Sequence, residues 1–450
     1  MPIVPQNTVI NYLGFSMKSF VKKILKFTSI AIVLFVAIVA LINTSPFDEE
    51  LNPEIVKLMQ PIPMPVVEDN AYYALYGLNA IDNRDMIETG HGLTLRSLEN
   101  RKNGKDELSA EDYLEILGIE NNNFSDLRIE FNDCNSNKEF NCLISLSENL
   151  SGDQLNNPRL QILLNRYHKI MDMEVYSNFL DVTMNSPLAA YGTLLKLSKI
   201  RLATSYKPKN RSEFIQHLHK DMEFWKLLLN QGKLLIDKMV AFASIKNNIN
   251  NLSEYLRNNS VAETDVELII DMLTPLTTDE LDLSESFITE HRIGYNAYLE
   301  LEKNSSWFES LTYQPNATIN YGYEENYNRL LKLAKLPLPE LIKKIKLGID
   351  DIEKSIKLHN IYNYTGKMLI KYSGPAYSHY TIRGHDLNNI IKMVNIQYQA
   401  KTNPDLSLEQ LLIQPKNTNM YNDKPFEYDK ESQIIYFNCL TRYQECRIKL

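Results

Sequence analysis

The sequence FTSIAIVLFVAIVALINTSPF, residues 27–47, contains no charged side chain. A hydrocarbon layer ~30 Å thick needs about 20 helical residues to cross it. Inside lipid, a helix is the single-segment structure that satisfies its own backbone hydrogen bonds. The stretch therefore predicts a transmembrane helix at 27–47, preceded by an N-terminal segment at 1–26.

The charges on either side of this stretch predict its direction. Four lysines precede it and four acids follow it, namely Lys18, Lys22, Lys23 and Lys26, then Asp48, Glu49, Glu50 and Glu54. Lysines next to a span stay on the cytosolic side. Residues 1–26 are thus expected in the cytosol and the rest of the chain on the other side. A cleaved signal peptide is the alternative, but residues 41–46 contain no Ala-x-Ala cleavage site.

The cysteines agree with export from the cytosol. The chain contains four of them, Cys134, Cys142, Cys439 and Cys446, in two close pairs. Disulfides persist in oxidising compartments, and four cysteines allow three pairings. The local pairing, 134 with 142 and 439 with 446, is favoured, and a crossed pairing stays open. A zinc site is disfavoured because neither pair has CxxC spacing and no histidine lies nearby.

Composition limits the class of partner. The net charge is −8. Hydrophobic residues make up 44% of the chain, a content that is ordinary for a globular protein. Binding to nucleic acid requires clustered Lys and Arg on the folded domain, and the basic cluster here lies beside the membrane. The expected partners are the membrane and a protein of the cell envelope, not a nucleic acid.

The pattern of the remaining chain predicts a mainly α fold. Residues 48–68 contain Pro61, Pro63 and Pro65 and predict an extended tether. An exported helical domain is predicted at 69–450, with possible subdivision near 150 and at 304–322. Helix starts are indicated by Asp69 and by Asn157-Pro158, and by the capping boxes Thr277-x-x-Glu280 and Ser407-x-x-Gln410.

Two regions depart from helical periodicity. Residues 127–131 and 140–146 alternate between apolar and polar side chains around Cys134 and Cys142, which predicts a small β-hairpin at 124–147. Residues 425–438 predict a second hairpin, a strand, a turn and a strand. Small β elements are therefore expected at both places.

The search for chemistry yields one polar cluster. P-loop, Gly-x-Ser-x-Gly, His-Glu-x-x-His and dinucleotide motifs are all absent from the sequence, so no cofactor and no metal is predicted. The densest polar segment is 377–386. There, His385 and Asp386 are candidates for a general base and its orienting partner, with His379 close by. The alternative is a purely structural role, in which Asp386 caps a helix and the histidines make structural hydrogen bonds.

Other polar residues are interpreted as solvated. His217 and His219 are two residues apart on a helix and so point to different sides, which disfavours a shared metal ion. Glu88-x-x-His91 has the spacing of a di-iron helix but no second copy. An acidic helix could supply paired carboxylates for glycoside hydrolysis, although such faces are usually just hydrated; its acids are Glu280, Asp282, Glu285 and Glu290.

Four short motifs carry a resemblance to a known class. They are Asn70-Ala71-Tyr72-Tyr73-Ala74-Leu75-x-Gly77, Phe224-Trp225, Arg383-x-His385-Asp386-Leu387 and Lys424-Pro425-Phe426-x-Tyr428. Together they resemble proteobacterial single-pass inner-membrane-anchored helical proteins that have no assigned activity. The resemblance spans most of 60–440 and implies an inner-membrane anchor with a periplasmic helical domain. It implies no site residues. Asp423 departs from the class, which often has glycine before this Lys-Pro.

Two functions follow as hypotheses. The first is a non-enzymatic, membrane-anchored envelope protein whose helical domain binds a protein or organises a complex. The second is an envelope hydrolase acting on cell wall or polysaccharide, with its site near 379–386. They differ in what the structure should show, because the hydrolase needs His385, Asp386 and another polar side chain to converge in a deep pocket.

Overall fold

The computed structural model describes residues 7–43, 45–60, 62–103, 108–119, 139–179, 182–206, 211–304, 312–346, 361–373, 378–441 and 445–450. The chain is mainly helical, with one small antiparallel sheet near its C-terminus, as predicted. It divides into two compact units. The anchor unit comprises Met1–Lys57, Tyr295–Glu325 and Asp350–Gly374, and the main unit comprises Leu58–Gly294, Asn326–Ile349 and Pro375–Leu450.

The anchor unit contains helices α1 (Asn7–Ile42), α2 (Pro53–Leu58), α15 (Pro315–Gly322) and α18 (Tyr364–Ser373), a 3-10 turn (Ser45–Phe47) and the second half of α14 (Ser284–Asn304). Within α1, the segment Phe20–Ile42 has a mean hydropathy of 2.6 and is long and apolar enough to cross a membrane. Its side chains are exposed rather than buried in a core. The predicted span thus corresponds to an isolated apolar helix that ends at Ile42, five residues before the end of the uncharged stretch.

The first part of the predicted tether is folded. Helix α2 lies within it and its Ile55 is fully buried. The carboxylate of Asp48 accepts hydrogen bonds from the backbone N–H groups of Asn316 and Ala317 at 2.9 and 3.0 Å. These are free donors in the first turn of α15, and an acid there also favours the helix dipole. Residues 62–67, which include two of the three prolines, have no helix or strand.

The main unit contains most of the helices. They are α3 (Ala71–Tyr76), α4 (Met86–Lys102), α5 (Ala110–Leu117), α6 (Cys142–Asn149), α7 (Gly152–Leu155), α8 (Pro158–Met171), α9 (Tyr191–Ser205), α10 (Arg211–Gln231), α11 (Leu235–Asn258), α12 (Val266–Met272), α13 (Thr278–Leu281), α16 (Asn328–Ala334), α17 (Leu338–Lys346), α19 (Ser378–Thr402) and α20 (Leu408–Leu412). Short turns of other helix types occupy Glu263–Asp265, Tyr323–Tyr327 and Pro415–Asn417.

The centre of the main unit is the hairpin formed by α10 and α11. Only residues 232–234 separate these two helices, which pack against each other, while α11 also packs against α19 and α10 against α9. Trp225 and Phe214 of α10, Ile245 of α11 and Ile391 of α19 are fully buried. Large apolar side chains removed from water in this way supply most of the folding free energy.

Helices α3 and α4 approach each other through two glycines. A β-carbon on Gly77 would lie 1.8 Å from the carbonyl oxygen of Met86, and one on Gly90 would lie 1.9 Å from that of Tyr73. Helix α3 is capped by Asn70 rather than by Asp69, because the Asn70 side chain accepts from Tyr72 N at 3.1 Å and donates to Ser177 O at 3.0 Å. The predicted start was therefore one residue early.

The C-terminal sheet confirms one predicted hairpin and extends it. Strands β1 (Glu427–Asp429), β2 (Ile434–Asn438) and β3 (Glu445–Lys449) are antiparallel in the order β1-β2-β3. A disulfide joins Cys439 to Cys446, as expected for the local pairing. Cys142 is also disulfide-bonded, and its predicted partner Cys134 lies outside the described residues.

The other β prediction is wrong where it can be compared. Residues 142–149 form the helix α6, and residues 120–138 lie outside the described part of the chain. The backbone N–H groups of Leu143 and Ile144 donate to the buried Glu254 carboxylate of α11, at 3.0 and 2.8 Å. This carboxylate caps the helix from a distant part of the chain, so the alternating sequence is overridden by a tertiary contact.

Candidate functional site

The predicted catalytic pair lies on α19, but its carboxylate has other partners. Asp386 is buried and accepts hydrogen bonds from Tyr421 Oη at 2.6 Å, Leu440 N at 3.0 Å and Thr441 N at 2.9 Å. Thr441 Oγ1 donates to it as well. The Asp386 carboxylate thus links the segment after β2 to α19, beside the Cys439–Cys446 disulfide.

The two histidines of the segment are not oriented by that carboxylate. The Nδ1 atoms of His379 and His385 are buried and have no hydrogen-bond partner within the described residues. Burial lowers the pKa of His385, and nearby Asp386 opposes that shift. The arrangement required for a general base, a carboxylate bonded to an imidazole nitrogen, is not formed between Asp386 and either histidine.

Four other acids singled out in the sequence, Glu88, Glu280, Asp282 and Glu285, are surface or capping groups. Glu280 is the N3 residue of a capping box on α13, as predicted, and accepts from Thr277 N at 2.6 Å. Glu285 pairs with Lys233 at 3.7 Å, and Asp282 accepts from Ser284 N at 2.8 Å. Glu88 is exposed in the first turn of α4. These positions suit hydration and capping better than paired acid–base chemistry.

His91 lies against Tyr73, with the ring centroids 5.2 Å apart. His219 is different, because it lies between two carboxylates. Its Nε2 is 2.9 Å from Asp271 Oδ2 and its Nδ1 is 3.7 Å from Glu223 Oε2. These three residues could hold a metal ion, since each offers an atom within 4.8 Å of the others. His217 takes no part in this group, so the two histidines do face different sides of α10, as the sequence predicted.

A buried polar network between α8, α10 and α11 is a stronger candidate for a functional site than the residues predicted from the sequence. Asp221 of α10 is fully buried and accepts from Trp225 Nε1 at 3.0 Å, from Asn248 Nδ2 at 2.8 Å and from Tyr167 Oη. Burial raises the pKa of Asp221, and the three donors oppose that shift by stabilising the anion. Buried carboxylates with a raised pKa occur both at functional sites and in structural networks.

The network borders a small cavity. The cavity has a volume of about 30 Å³ and is lined on its polar side by Asp221, Ser198, Ser244, Asn248 and Asn251. This is room for a water molecule or two, whereas sites for small organic ligands usually exceed ~300 Å³. The Asp221 network is therefore suited to holding water and ordering helices rather than to binding a substrate.

A second cluster of polar side chains lies between α8, α9 and α10. Arg201 Nη2 lies 2.5 Å from His217 Nε2 and donates to Glu213 Oε1 at 3.1 Å. Because a guanidinium only donates, His217 Nε2 is the acceptor and Nδ1 carries the proton. Burial and the Arg201 charge lower the pKa of His217 to about 4. The imidazole is consequently neutral near pH 7, but its lone pair is already engaged.

The ring of His168 stacks on that of His217, with the ring planes inclined by 22° and the centroids 6.2 Å apart. His168 Nε2, His217 Nδ1 and Arg201 Nε are buried and have no hydrogen-bond partner in the part of the chain that is described. Protonation of either imidazole would place a new positive charge beside Arg201. This cluster can respond to acid, and no nucleophile is bonded to either histidine in the described contacts.

A third buried acid lies among tyrosines. Asp237 of α11 accepts from Tyr191 Oη at 2.5 Å and from Asn178 Nδ2 at 2.7 Å, and Tyr176 Oη lies 3.0 Å from Tyr191 Oη. Burial raises the pKa of Asp237 to about 6. These groups join the loop 173–179 and α9 to α11, which makes them a network that orders the core.

No protein-family model, curated protein or solved structure matches this chain. The resemblance to inner-membrane-anchored proteins therefore stays a prediction. Three of the motifs that prompted it contain structural residues: Gly77 permits the α3–α4 approach, Trp225 donates to Asp221, and Asp386 holds the segment after β2.

Proposed function

We propose that this chain is a single-pass membrane protein whose main unit, outside the cytosol, binds a protein partner of the envelope. The observation that carries the proposal is the exposed apolar segment Phe20–Ile42, which is not buried by any part of the chain that the structure describes. A bilayer is the environment in which such a helix is stable. The Cys439–Cys446 disulfide supports placement in an oxidising compartment.

The lysines before the apolar segment and the acids after it support a cytosolic N-terminus. In a bacterium this corresponds to the inner membrane, with the main unit in the periplasm. The hydrolase alternative is not favoured, because the Asp386 carboxylate is engaged by backbone and hydroxyl donors rather than by a histidine.

Topology has a direct test. A reporter that is active only outside the cytosol, fused after Leu450, is expected to be active in cells. Replacing Lys22, Lys23 and Lys26 with glutamate should reduce that activity, because the positive-inside signal is removed. A reporter that works only in the cytosol serves as the reciprocal measurement. Full activity of the cytosolic reporter on the unchanged protein would contradict the proposed orientation.

The protein-binding part of the proposal rests on an exposed apolar loop. Met184 and Leu188 lie on residues 182–190 with 76% and 65% of their surface exposed. The loop is ordered, since Thr183 N donates to Ser186 Oγ at 2.9 Å and Ala190 N donates to Leu75 O at 3.2 Å. Two large apolar side chains four residues apart on an ordered loop offer an apolar surface to a partner, and methionine adapts its shape to a partner.

Substitution of this pair should weaken partner binding. In pull-downs of the detergent-solubilised protein read by mass spectrometry, Met184→Ser with Leu188→Ser is expected to recover the partner about tenfold less well. Ile413→Ser is the matched control, because Ile413 is also apolar and highly exposed but lies on a different segment. Equal recovery by all three forms, or wild-type binding to cell-wall fragments with no protein recovered, would refute the proposal.

A further inference from the structure

Helix α18 of the anchor unit has two apolar faces. Gly366 and Ile370 are buried, and Ile370 packs against Gly322 of α15, so this face is covered by the protein. On the other side, Tyr364, Met368 and Tyr372 follow at intervals of four residues and therefore share a face. Tyr372 is 67% exposed, and Tyr364 is exposed as well. We call this face, together with exposed Ile361 just before the helix, the aromatic stripe.

Two lysines lie beside the aromatic stripe, and each has its ammonium group near a tyrosine ring. Lys367 Nζ donates to Tyr362 O at 2.8 Å and lies 5.9 Å from the Tyr362 ring centroid. Lys371 Nζ lies 5.5 Å from the ring centroid of Tyr372. Tyrosines, which have an apolar body and a polar tip, occur together with lysines on protein surfaces at the membrane–water boundary.

The contacts of the anchor unit place the start of this stripe at the end of the apolar helix. Asn43 directly follows the last residue of α1, is buried, and accepts a hydrogen bond from Asn363 N at 2.8 Å. Tyr362 Oη donates to Phe47 O at 3.0 Å, and the Phe47 side chain is itself exposed. A helix that leaves the lipid at Ile42 therefore brings Tyr362 and Asn363 to the same level.

We propose that the aromatic stripe lies in the headgroup layer of the bilayer that α1 crosses, so that its partner is lipid. The inference rests on the proposed membrane anchoring. A helix rises ~1.5 Å per residue, so α18 pointing away from the bilayer would carry Tyr372 ~13 Å beyond Asn363. The headgroup layer on each side is only ~5–8 Å thick. Lying along the membrane plane, α18 keeps the whole stripe against lipid, with the lysines near the phosphates.

The test is spin-label accessibility on the full chain in bilayers of phosphatidylethanolamine and phosphatidylglycerol. Nitroxides are attached to single added cysteines in Tyr364→Cys, Tyr372→Cys, Val33→Cys and Ile413→Cys, with the native disulfides intact. Oxygen concentrates in lipid, whereas a water-soluble nickel complex stays in water. The ratio of their collision rates with the nitroxide therefore reports the depth of the label in the bilayer. Ile413 is the matched control, because its exposed fraction of 69% equals that of Tyr372 within a few per cent.

The expected result is a shift of the ratio toward lipid at Tyr364 and Tyr372 relative to Ile413, with the largest shift at Val33. If Val33 reads as hydrocarbon but Tyr372 gives the same ratio as Ile413, the anchor stands and the inference about α18 is overturned. If Tyr372 is shielded from both reagents, a protein covers the stripe and the inference is likewise wrong. A water-exposed Val33 would remove the anchor itself and the inference with it.

Discussion

Replacing Gly90 with alanine is expected to destabilise the main unit by more than about 3 kcal/mol. The new β-carbon would lie 1.9 Å from the Tyr73 carbonyl oxygen and 2.8 Å from its carbonyl carbon. Both are backbone atoms of α3, so no side-chain rotation can relieve the overlap. Helices α3 and α4 would have to separate, which exposes Tyr73 and Leu93, both fully buried in the wild type.

The measurement is the shift in denaturation midpoint of the detergent-solubilised protein, with helix content as the signal. Gly92→Ala provides the control on the same helix, because its β-carbon would meet only Ile116 Cγ2 at 3.8 Å. Alanine there is expected to be neutral or to stabilise by up to about 1 kcal/mol, since glycine is a poor helix former. Similar midpoints for Gly90→Ala and Gly92→Ala would contradict the close approach of α3 and α4.

Replacing Asp221 with alanine is expected to cost about 3–5 kcal/mol. The substitution leaves three buried donors without their acceptor: the Tyr167 hydroxyl, the Trp225 indole N–H and the Asn248 amide. Each unsatisfied donor costs about 1–3 kcal/mol, less where water can enter the adjacent cavity. Asp221→Asn should cost less, because its carbonyl oxygen still accepts from part of the set.

Near-ultraviolet circular dichroism and the denaturation midpoint report this change, since Trp225 loses its partner. Asp271→Ala is the control: Asp271 also bonds to a side chain of α10, that of His219, but the Asp271 side chain is 52% exposed. An exposed ion pair contributes only about 0–1 kcal/mol. If Asp221→Ala is as mild as Asp271→Ala, the Asp221 network does not order the core.

Local signals predicted several helix starts because cap and helix are neighbours in the chain. Asn157 accepts from Leu160 N with proline at the first helical position, and Ser407 forms a capping box with Gln410. The strand–turn–strand pattern near the C-terminus was predicted because its two paired strands are likewise neighbours in the chain. Where a distant group supplies the cap, prediction failed, as for α6, whose first N–H groups bond to Glu254.

Prediction of the candidate sites was limited in the same way, because their contacts come from residues far apart in the sequence. The sequence places His385 beside Asp386, and this adjacency suggested a catalytic pair. Consecutive positions on a helix point about 100° apart, and Asp386 instead bonds to residues 421, 440 and 441. The one available sequence signal for the group at His219 was its i,i+4 spacing to Glu223. The third member, Asp271, comes from a separate helix and carries no such signal.

The sequence by itself determined that one helix is apolar enough to cross a membrane and that the rest is mainly helical, and it favoured the local pairing of Cys439 with Cys446. Each of these depends on residues close together in the chain. Tertiary structure decided that residues 48–57 are folded onto α15, that 142–149 is helical, and which buried acids share donors. Those outcomes depend on burial and hydrogen bonds between segments far apart in sequence, where a single polar partner outweighs local preference.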